Sequence, residues 1–410
     1  MSLLALLILA AILFSGLLDL YLRRRQIAAV TDHRDAVPAD FRDVLSLDEH
    51  RRAADYAVAN ARLGAARTAA ETAFALALPT LLLAPAFVLA SALAPEGPAR
   101  SMLVALAVGA LDYLLALSFA AARAFGVEAR FGFNRASPRL FALDEAKGLA
   151  LRLLAFAPLL YGFFALQAAL PRAWPLVGWA AGVLLLCALA IVLPTFVAPL
   201  FHRFRPLPES AVKARIEALL ARRGYGRSGL FVVDASTRSS HGNAYFAGFG
   251  KARRIVLYDT LLARHSDDEI VSVLAHELGH CELGHVRRRL LEAALLLGAL
   301  FAALFLAFHS DALAAAFGLP ADPGVTLVVA LAAAGPLARL LAPALNFLSR
   351  RAEFEADAFA GDMVGRAPMI AALTRLSRDN LATLTPDRLY AAFYYSHPPI
   401  PARVARLGEA

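Results

Sequence analysis

Residues 271–285 read VSVLAHELGHCELGH, with two histidines four positions apart around a glutamate, then a cysteine and a third histidine. Positions i and i+4 share a helix face, so His276 and His280 can present two imidazoles to one divalent ion. Zinc favours such a nitrogen pair, and a catalytic zinc takes one further protein ligand while keeping a position open for water. Glu277 is turned about 100° from His276, beside the ligands but off their axis, where a carboxylate can take a proton from that water. The chemistry this implies is metal-assisted hydrolysis. Cys281 faces elsewhere on the helix and reads as a small buried hydrophobe. His285, beyond Gly284, reads as a packing or hydrogen-bonding residue rather than a ligand.

Two histidines at this spacing also arise by accident in a long chain, so a third ligand is needed. The segment AEFEAD, 352–357, supplies Glu353, Glu355 and Asp357. On a helix Glu353 and Asp357 share a face, and Glu355 points away into solvent. One carboxylate on the ion and a second orienting a ligand histidine would complete the centre. The spacing fits a plain acidic helix face equally well.

The elements that must carry these residues can be read from pattern. Ser266, followed by Asp267, Asp268 and Glu269, marks a helix start, with acidic groups near the positive end of the dipole. The histidine motif therefore sits in the body of a helix. In AVKARIEALLARR, Val212, Ile216, Leu219 and Leu220 form one apolar face. The runs LFVVDAS, NAYFAGFG and RRIVLYDTLL read as the strands of a small sheet. After the last apolar stretch, SRRAEFEADAFAGDMVGRA is helical, and Pro398 with Pro399 forbids helix continuity in YYSHPPIPARVARL.

The rest of the chain is apolar. Of 410 residues 59% are hydrophobic and only 18% charged, with mean hydropathy +0.59; ordinary soluble domains are about half apolar and a quarter charged. Stretches long enough to cross a bilayer occur near 2–22, 68–94, 101–122, 149–170, 174–200, 289–309 and 325–348. Basic residues alternate between the connections. Arg23, Arg24, Arg25, Arg34, Arg42, Arg51, Arg52 and Arg62 crowd the first, and Arg123, Arg130, Arg135, Arg139 and Lys147 the third. The fifth connection and the tail are also Arg-rich, whereas the second has only Arg100, the fourth only Arg172, and the sixth none. By the positive-inside rule the N-terminus is expected outside and the motif-bearing segments in the cytoplasm. The first span has no basic residue before it and YLRRRQ after it, so it is expected to be an uncleaved anchor. The net charge of +8 is accounted for by membrane-flanking arginines, without nucleic acid. Cys187 and Cys281 form no disulfide framework. The expected organisation is a membrane region of five spans (1–200), the first part of a metal-binding domain (201–288), spans six and seven (289–348), and the second part of that domain (349–410).

With these residues in view the sequence resembles the CAAX prenyl protease 1 family of integral-membrane zinc endopeptidases. The likeness runs through YLRRRQ, FGFN (131–134), PLFHRFRPLPES (199–210), SSHGNAYFAGFGKARRIVLYDTLL (239–262), HELGH (276–280), SRRAEFEADAFA (349–360) and YSHPP with Arg403. It implies one Zn2+ per chain on His276, His280 and Glu353, with Glu277 as base and Asp357 beside a ligand histidine. It implies that Asn243, Ala244 and Tyr245 pair with the substrate as an added strand. His397 would steady the oxyanion and Arg403 would brace the site. The implied fold is an α-helical integral membrane protein. Seven transmembrane helices ring a large water-filled chamber, which a cytoplasmic zincin-like metalloprotease domain with a small β-sheet closes. In such a ring Asp112, Glu292 and Arg339 are expected to face the chamber or each other, while Glu71 can reach the membrane surface. Cys281 replaces a larger residue common in relatives, and Glu355 stands where glutamine is frequent.

The implied substrate is a peptide or protein, lipidated or membrane-associated. The Ala- and Arg-rich composition points to a bacterial inner membrane, where protein prenylation is generally absent. Two other readings stay open. One is a quality-control protease of the HtpX type; the other is a non-catalytic membrane binder with a structural zinc, which would need four protein ligands. Nothing in the sequence sets an oligomeric state.

Overall fold

The computed structural model describes residues 2–225, 229–247 and 254–409. Among them seven helices are long and apolar enough to cross a membrane. These are span I (Leu3–Asp32), II (Leu47–Leu93), III (Pro98–Phe131), IV (Pro138–Ala169), V (Trp174–Leu200), VI (His285–Phe308) and VII (Pro323–Val364). Each span packs against the next, and VII returns to I, which closes a ring. In the apolar windows of IV, V and VI only 6% of residues are buried. A filled bundle would bury one stripe of every helix, so these three present both faces to something other than protein.

Several helices outrun the apolar stretches that announce them. Span II begins at Leu47, where Ser46 and Glu49 form a reciprocal capping box, so much of the Arg-rich first connection is helix. Span VII runs unbroken to Val364, and the boundary at 348/349 falls inside it. That continuity takes Glu353 and Asp357 out of the membrane on the helix that crosses it. The boundary at 288/289 falls likewise within span VI. Π-helical turns interrupt II at Leu78–Leu82 and V at Leu193–Val197, each holding a proline that has no N–H to donate.

At one end of the ring the Ser2 hydroxyl donates to the carbonyl of Ala316 (3.4 Å). There Arg100 and Ser101 also donate to the buried Asp322 carboxylate, both at 3.0 Å. At the other end sit the segments between V and VI and after VII. Four strands, β1 (Phe204–Pro206), β2 (Gly229–Val233), β3 (Ala244–Ala247) and β4 (Arg254–Tyr258), form one sheet in the order β1-β2-β4-β3. The β2–β4 pair is parallel and the others antiparallel, which leaves β3 at an edge. Strand β1 has no apolar alternation and was not legible in the sequence. Residues 226–228 and 248–253, including the Gly-rich end of NAYFAGFG, lie outside the described residues.

The longer helices at this end are α1 (Ala211–Ala221), α2 (Asp267–Glu282), α3 (Arg366–Asp379) and α4 (Ile400–Glu409). Val212, Ile216, Leu219 and Leu220 of α1 are buried as their spacing predicts, against Ile255 and Leu257 of β4 and Leu274 and Leu278 of α2. Ser266 and Glu269 cap α2 reciprocally. Burying this apolar face fixes α2, and with it the histidine motif, against the sheet.

Candidate active site

Helix α2 lies against the extension of span VII, and Gly279 is what permits the approach. A Cβ there would come within 3.1 Å of the Phe359 ring and 3.2 Å of the Ala356 backbone, so a larger residue would push the helices apart. At this distance the Nε2 atoms of His276 and His280 are 3.2 Å apart. Glu353 Oε2 lies 3.3 Å from the first and its Oε1 3.4 Å from the second. A tetrahedral ion with bonds of about 2.0–2.1 Å to nitrogen and oxygen separates its ligand atoms by roughly 3.3 Å. The three side chains thus have the spacing of a metal site. Glu353 is buried, and its Oε2 has no hydrogen-bond partner. A buried carboxylate oxygen left without a donor is costly unless a cation occupies the site. The residues fit a metal, and the two-nitrogen, one-oxygen donor set suits zinc.

His276 is held from behind. Asp357 Oδ1 is 2.9 Å from His276 Nδ1, and Arg403 on α4 clamps the same carboxylate through Nε (2.7 Å) and Nη2 (2.5 Å). In this ion-free arrangement burial pulls His276 down, but the Asp357 and Glu353 carboxylates beside it outweigh burial and hold the imidazole at about 9. Burial pushes the Glu277 carboxyl up, against the opposing pull of His276 and His280. His397 stands at the mouth, its side chain 62% exposed and Nε2 3.3 Å from Glu353 Oε1.

Two clefts flank Glu277. One, of about 360 Å³, includes Tyr245, Phe246, His280, Arg289 and Pro194 of the span V π-turn. The other, of about 240 Å³, includes Asn243 and the apolar Val273, Met369, Leu373 and Ile400. Glu277, Glu353 and His397 line both. Strand β3 bridges the two, since Asn243 borders one and Tyr245 the other. Tyr258 N–H donates to the Asn243 carbonyl (3.0 Å). By antiparallel alternation, Tyr245 bonds inward to β4, while the backbone groups of Ala244 and Phe246 face the open edge. The Ala244 N–H is met by the Asn243 side chain at 2.9 Å.

Several expectations change. Glu355 is half-buried rather than fully solvated: it accepts from His285 Nε2 (3.0 Å) and Arg351 Nε (2.9 Å), because the start of span VI covers part of that face. Cys281 is half-buried and lines the larger cleft instead of packing in the core. Arg339 pairs with neither Asp112 nor Glu292; it bridges to Asp19 of span I at 2.7 Å, a carboxylate too near the end of its apolar stretch to stand out. Glu71 pairs with Arg67 at 2.7 Å.

Other positioning residues gave no sequence signal of their own. Asn346 and Arg350 of span VII donate to the carbonyls of Phe393 and Tyr395, each at 2.7 Å, and so hold the turn that carries His397. His241, just before β3, stacks on Phe133 of the FGFN segment at 4.0 Å. Its Nδ1 is 3.0 Å from Asn380 Oδ1 and its Nε2 3.3 Å from Glu128.

Comparison with known proteins decides the family. Residues 206–410 match peptidase family M48, and residues 26–203 match the family described as CAAX prenyl protease N-terminal, five membrane helices. The chain belongs to the CAAX prenyl protease 1 family of M48 peptidases. It is 39% identical over 297 residues to a CAAX prenyl protease 1 homolog of Oryza sativa, covering 72% of this chain and 70% of that one. Against CAAX prenyl protease 1 of Saccharomyces cerevisiae it is 33% identical over 302 residues, covering 69% and 66%. The crystal structure of S. mikatae Ste24p superposes with a TM-score of 0.92 at 26% identity, covering 99% of both chains. The protein is therefore a multi-pass membrane metalloendopeptidase, and the ring of seven helices with a small mixed sheet is the family fold.

Proposed function

We propose that the metal is a single Zn2+ held by His276, His280 and Glu353, and that the protein cleaves extended segments of membrane-associated proteins beside it. The observation that carries this is the meeting of three side chains, His276 and His280 with Nε2 atoms 3.2 Å apart and the Glu353 carboxylate with one oxygen 3.3 Å from the first and the other 3.4 Å from the second, with Glu277 in the adjoining wall. When bound, zinc acidifies a water toward a pKa of ~7 and polarises the scissile carbonyl.

The chain's own residues do the rest. Glu277 takes the water's proton and returns it to the leaving amine, a dual role helped by a carboxyl that burial raises toward the working pH. His397 donates to the carbonyl oxygen as charge develops there. Asp357, gripped by Arg403, accepts from His276 Nδ1 and so leaves Nε2 as the atom that faces the site. The open edge of β3 takes the substrate backbone as a further strand, with Asn243, Ala244 and Tyr245 along it. The metal-bearing end is cytoplasmic and the N-terminus outside, following the alternation of arginines, and the Ala- and Arg-rich composition supports a bacterial inner membrane. The four-part organisation serves this arrangement, since spans VI and VII lie between the two halves of the metal-binding domain and bring them together.

The test is Glu277→Gln in the full-length protein. It should keep one zinc per chain by elemental analysis and lose peptide cleavage by at least about 10³-fold; turnover near the wild-type rate excludes Glu277 as the base. Comparing a farnesylated peptide, its unlipidated form and an unfolded membrane protein identifies the substrate class. Preference for the unfolded protein would make quality control the native task.

A further inference from the structure

We propose that His285 and Glu355 form a strut that orients His280 and determines how firmly the centre holds its metal. This rests on His276, His280 and Glu353 being the ligands. His276 has a carboxylate directly behind its ring, whereas His280 has another imidazole: its Nδ1 lies 2.9 Å from Nδ1 of His285. Two ring nitrogens in contact can share only one hydrogen, so one must donate and the other accept.

Glu355 decides which. An ionised carboxylate only accepts, so the 3.0 Å contact to Glu355 Oε2 places the hydrogen of His285 on Nε2. The neutral His285 ring then has its lone pair on Nδ1 and accepts from His280 Nδ1–H. The lone pair of His280 is left on Nε2, the atom 3.4 Å from Glu353 Oε1 and 3.2 Å from His276 Nε2. The chain of donors runs one way, from His280 through His285 to a carboxylate that Arg351 also holds.

The backbone is built to make this contact. Gly284 adopts a φ of +69°, a left-handed conformation that ends α2 and is cheap for glycine. It lets His285 open span VI with its side chain turned back onto His280, 2% exposed. Glu355 and Asp357 both stand on span VII beside Glu353. One helix therefore supplies a ligand and the anchors of the other two, His276 through Asp357 and His280 through His285.

The experiment measures zinc dissociation into a chelator from the full-length protein, together with the melting temperature of the metal-free form. His285→Leu keeps the bulk but removes the acceptor, and zinc should leave about 10- to 100-fold faster. His285→Asn puts an acceptor oxygen near the position of Nδ1 and should stay within about threefold of wild type. Glu355→Ala should speed release in the wild-type background and add nothing to His285→Asn, whose oxygen needs no tautomer set for it. A merely structural role would not give that cancellation. The proposal is overturned if His285→Leu retains zinc like wild type, if His285→Asn is as leaky as His285→Leu, or if Glu355→Ala costs the same in both backgrounds. Should His285→Leu fail to fold, the Glu355→Ala pair still decides. His280→Ala separates the two readings: if it keeps tight zinc, the ligand assignment itself fails.

Discussion

At the scale of residues, the metal centre couples protons to metal in a direction that can be worked out. Without an ion, His276 sits at about 9 against an ordinary 6.5, because the Asp357 and Glu353 carboxylates beside it outweigh burial. A group raised in this way carries its proton at neutral pH, and that proton must leave before Nε2 can bind metal. Apparent zinc affinity should therefore rise about tenfold per pH unit between roughly 6 and 8 and flatten above about 9. Asp357→Asn removes the leading cause, so its break should move down toward 6.5. Competition titrations against a pH-insensitive chelator check both, and an affinity flat from pH 6 to 8 in the wild type contradicts the linkage.

The same residues mark how much of the site was legible. His276, Glu277 and His280 could be placed because helical spacing alone puts them on adjoining faces. That Glu353 meets them, and not a solvated acidic face, depends on spans VI and VII bringing distant segments together, which local periodicity cannot register; only the family likeness pointed to it. The partners of Glu355 were not legible for a related reason. Helix spacing tells which face a side chain occupies, but not that a neighbouring helix will cover that face.

At the scale of elements, the edge strand makes a separable prediction. Tyr245 N–H belongs to the ladder with Val256, whereas Phe246 N–H faces the open edge. Proline is tolerated in an edge strand where its missing N–H points outward. Phe246→Pro should thus match Phe246→Ala in melting temperature and zinc content, yet lower kcat/KM by about tenfold more, the cost of one backbone hydrogen bond of ~1.4 kcal/mol. Tyr245→Pro, which cuts the ladder, should instead destabilise the fold. Equal kcat/KM for the proline and alanine variants at position 246 would remove β3 as the substrate's partner strand. Hydropathy located every span because bilayer thickness imposes a length. It could not show that II and VII continue as polar helices, since the criterion stops where the apolar residues stop. Strand β1 escaped because three residues, one of them proline, carry no alternation.

At the scale of the whole molecule, ties across the ring link the membrane region to the site. Asp19 of span I meets Arg339 of span VII. Arg25 bridges to Asp387 at 2.8 Å, and Gln26 accepts from the Asp387 N–H, so span I also holds the segment leading to His397. Ser2, Arg100 and the 309–322 connection gather at the end away from the metal ligands. Few basic residues lie there, while the arginines crowd the metal end, and the anionic cytoplasmic leaflet favours cations. The two ends should therefore differ in access. In a Cys187→Ala, Cys281→Ala background, a membrane-impermeant maleimide added to intact cells should label a cysteine at exposed Ala312. It should reach one at exposed Glu209 only after lysis. Labelling of position 209 in intact cells, with 312 protected, would invert the orientation and put proteolysis on the opposite face of the membrane, leaving the chemistry of His276, Glu277, His280 and Glu353 as argued but changing which proteins can reach it.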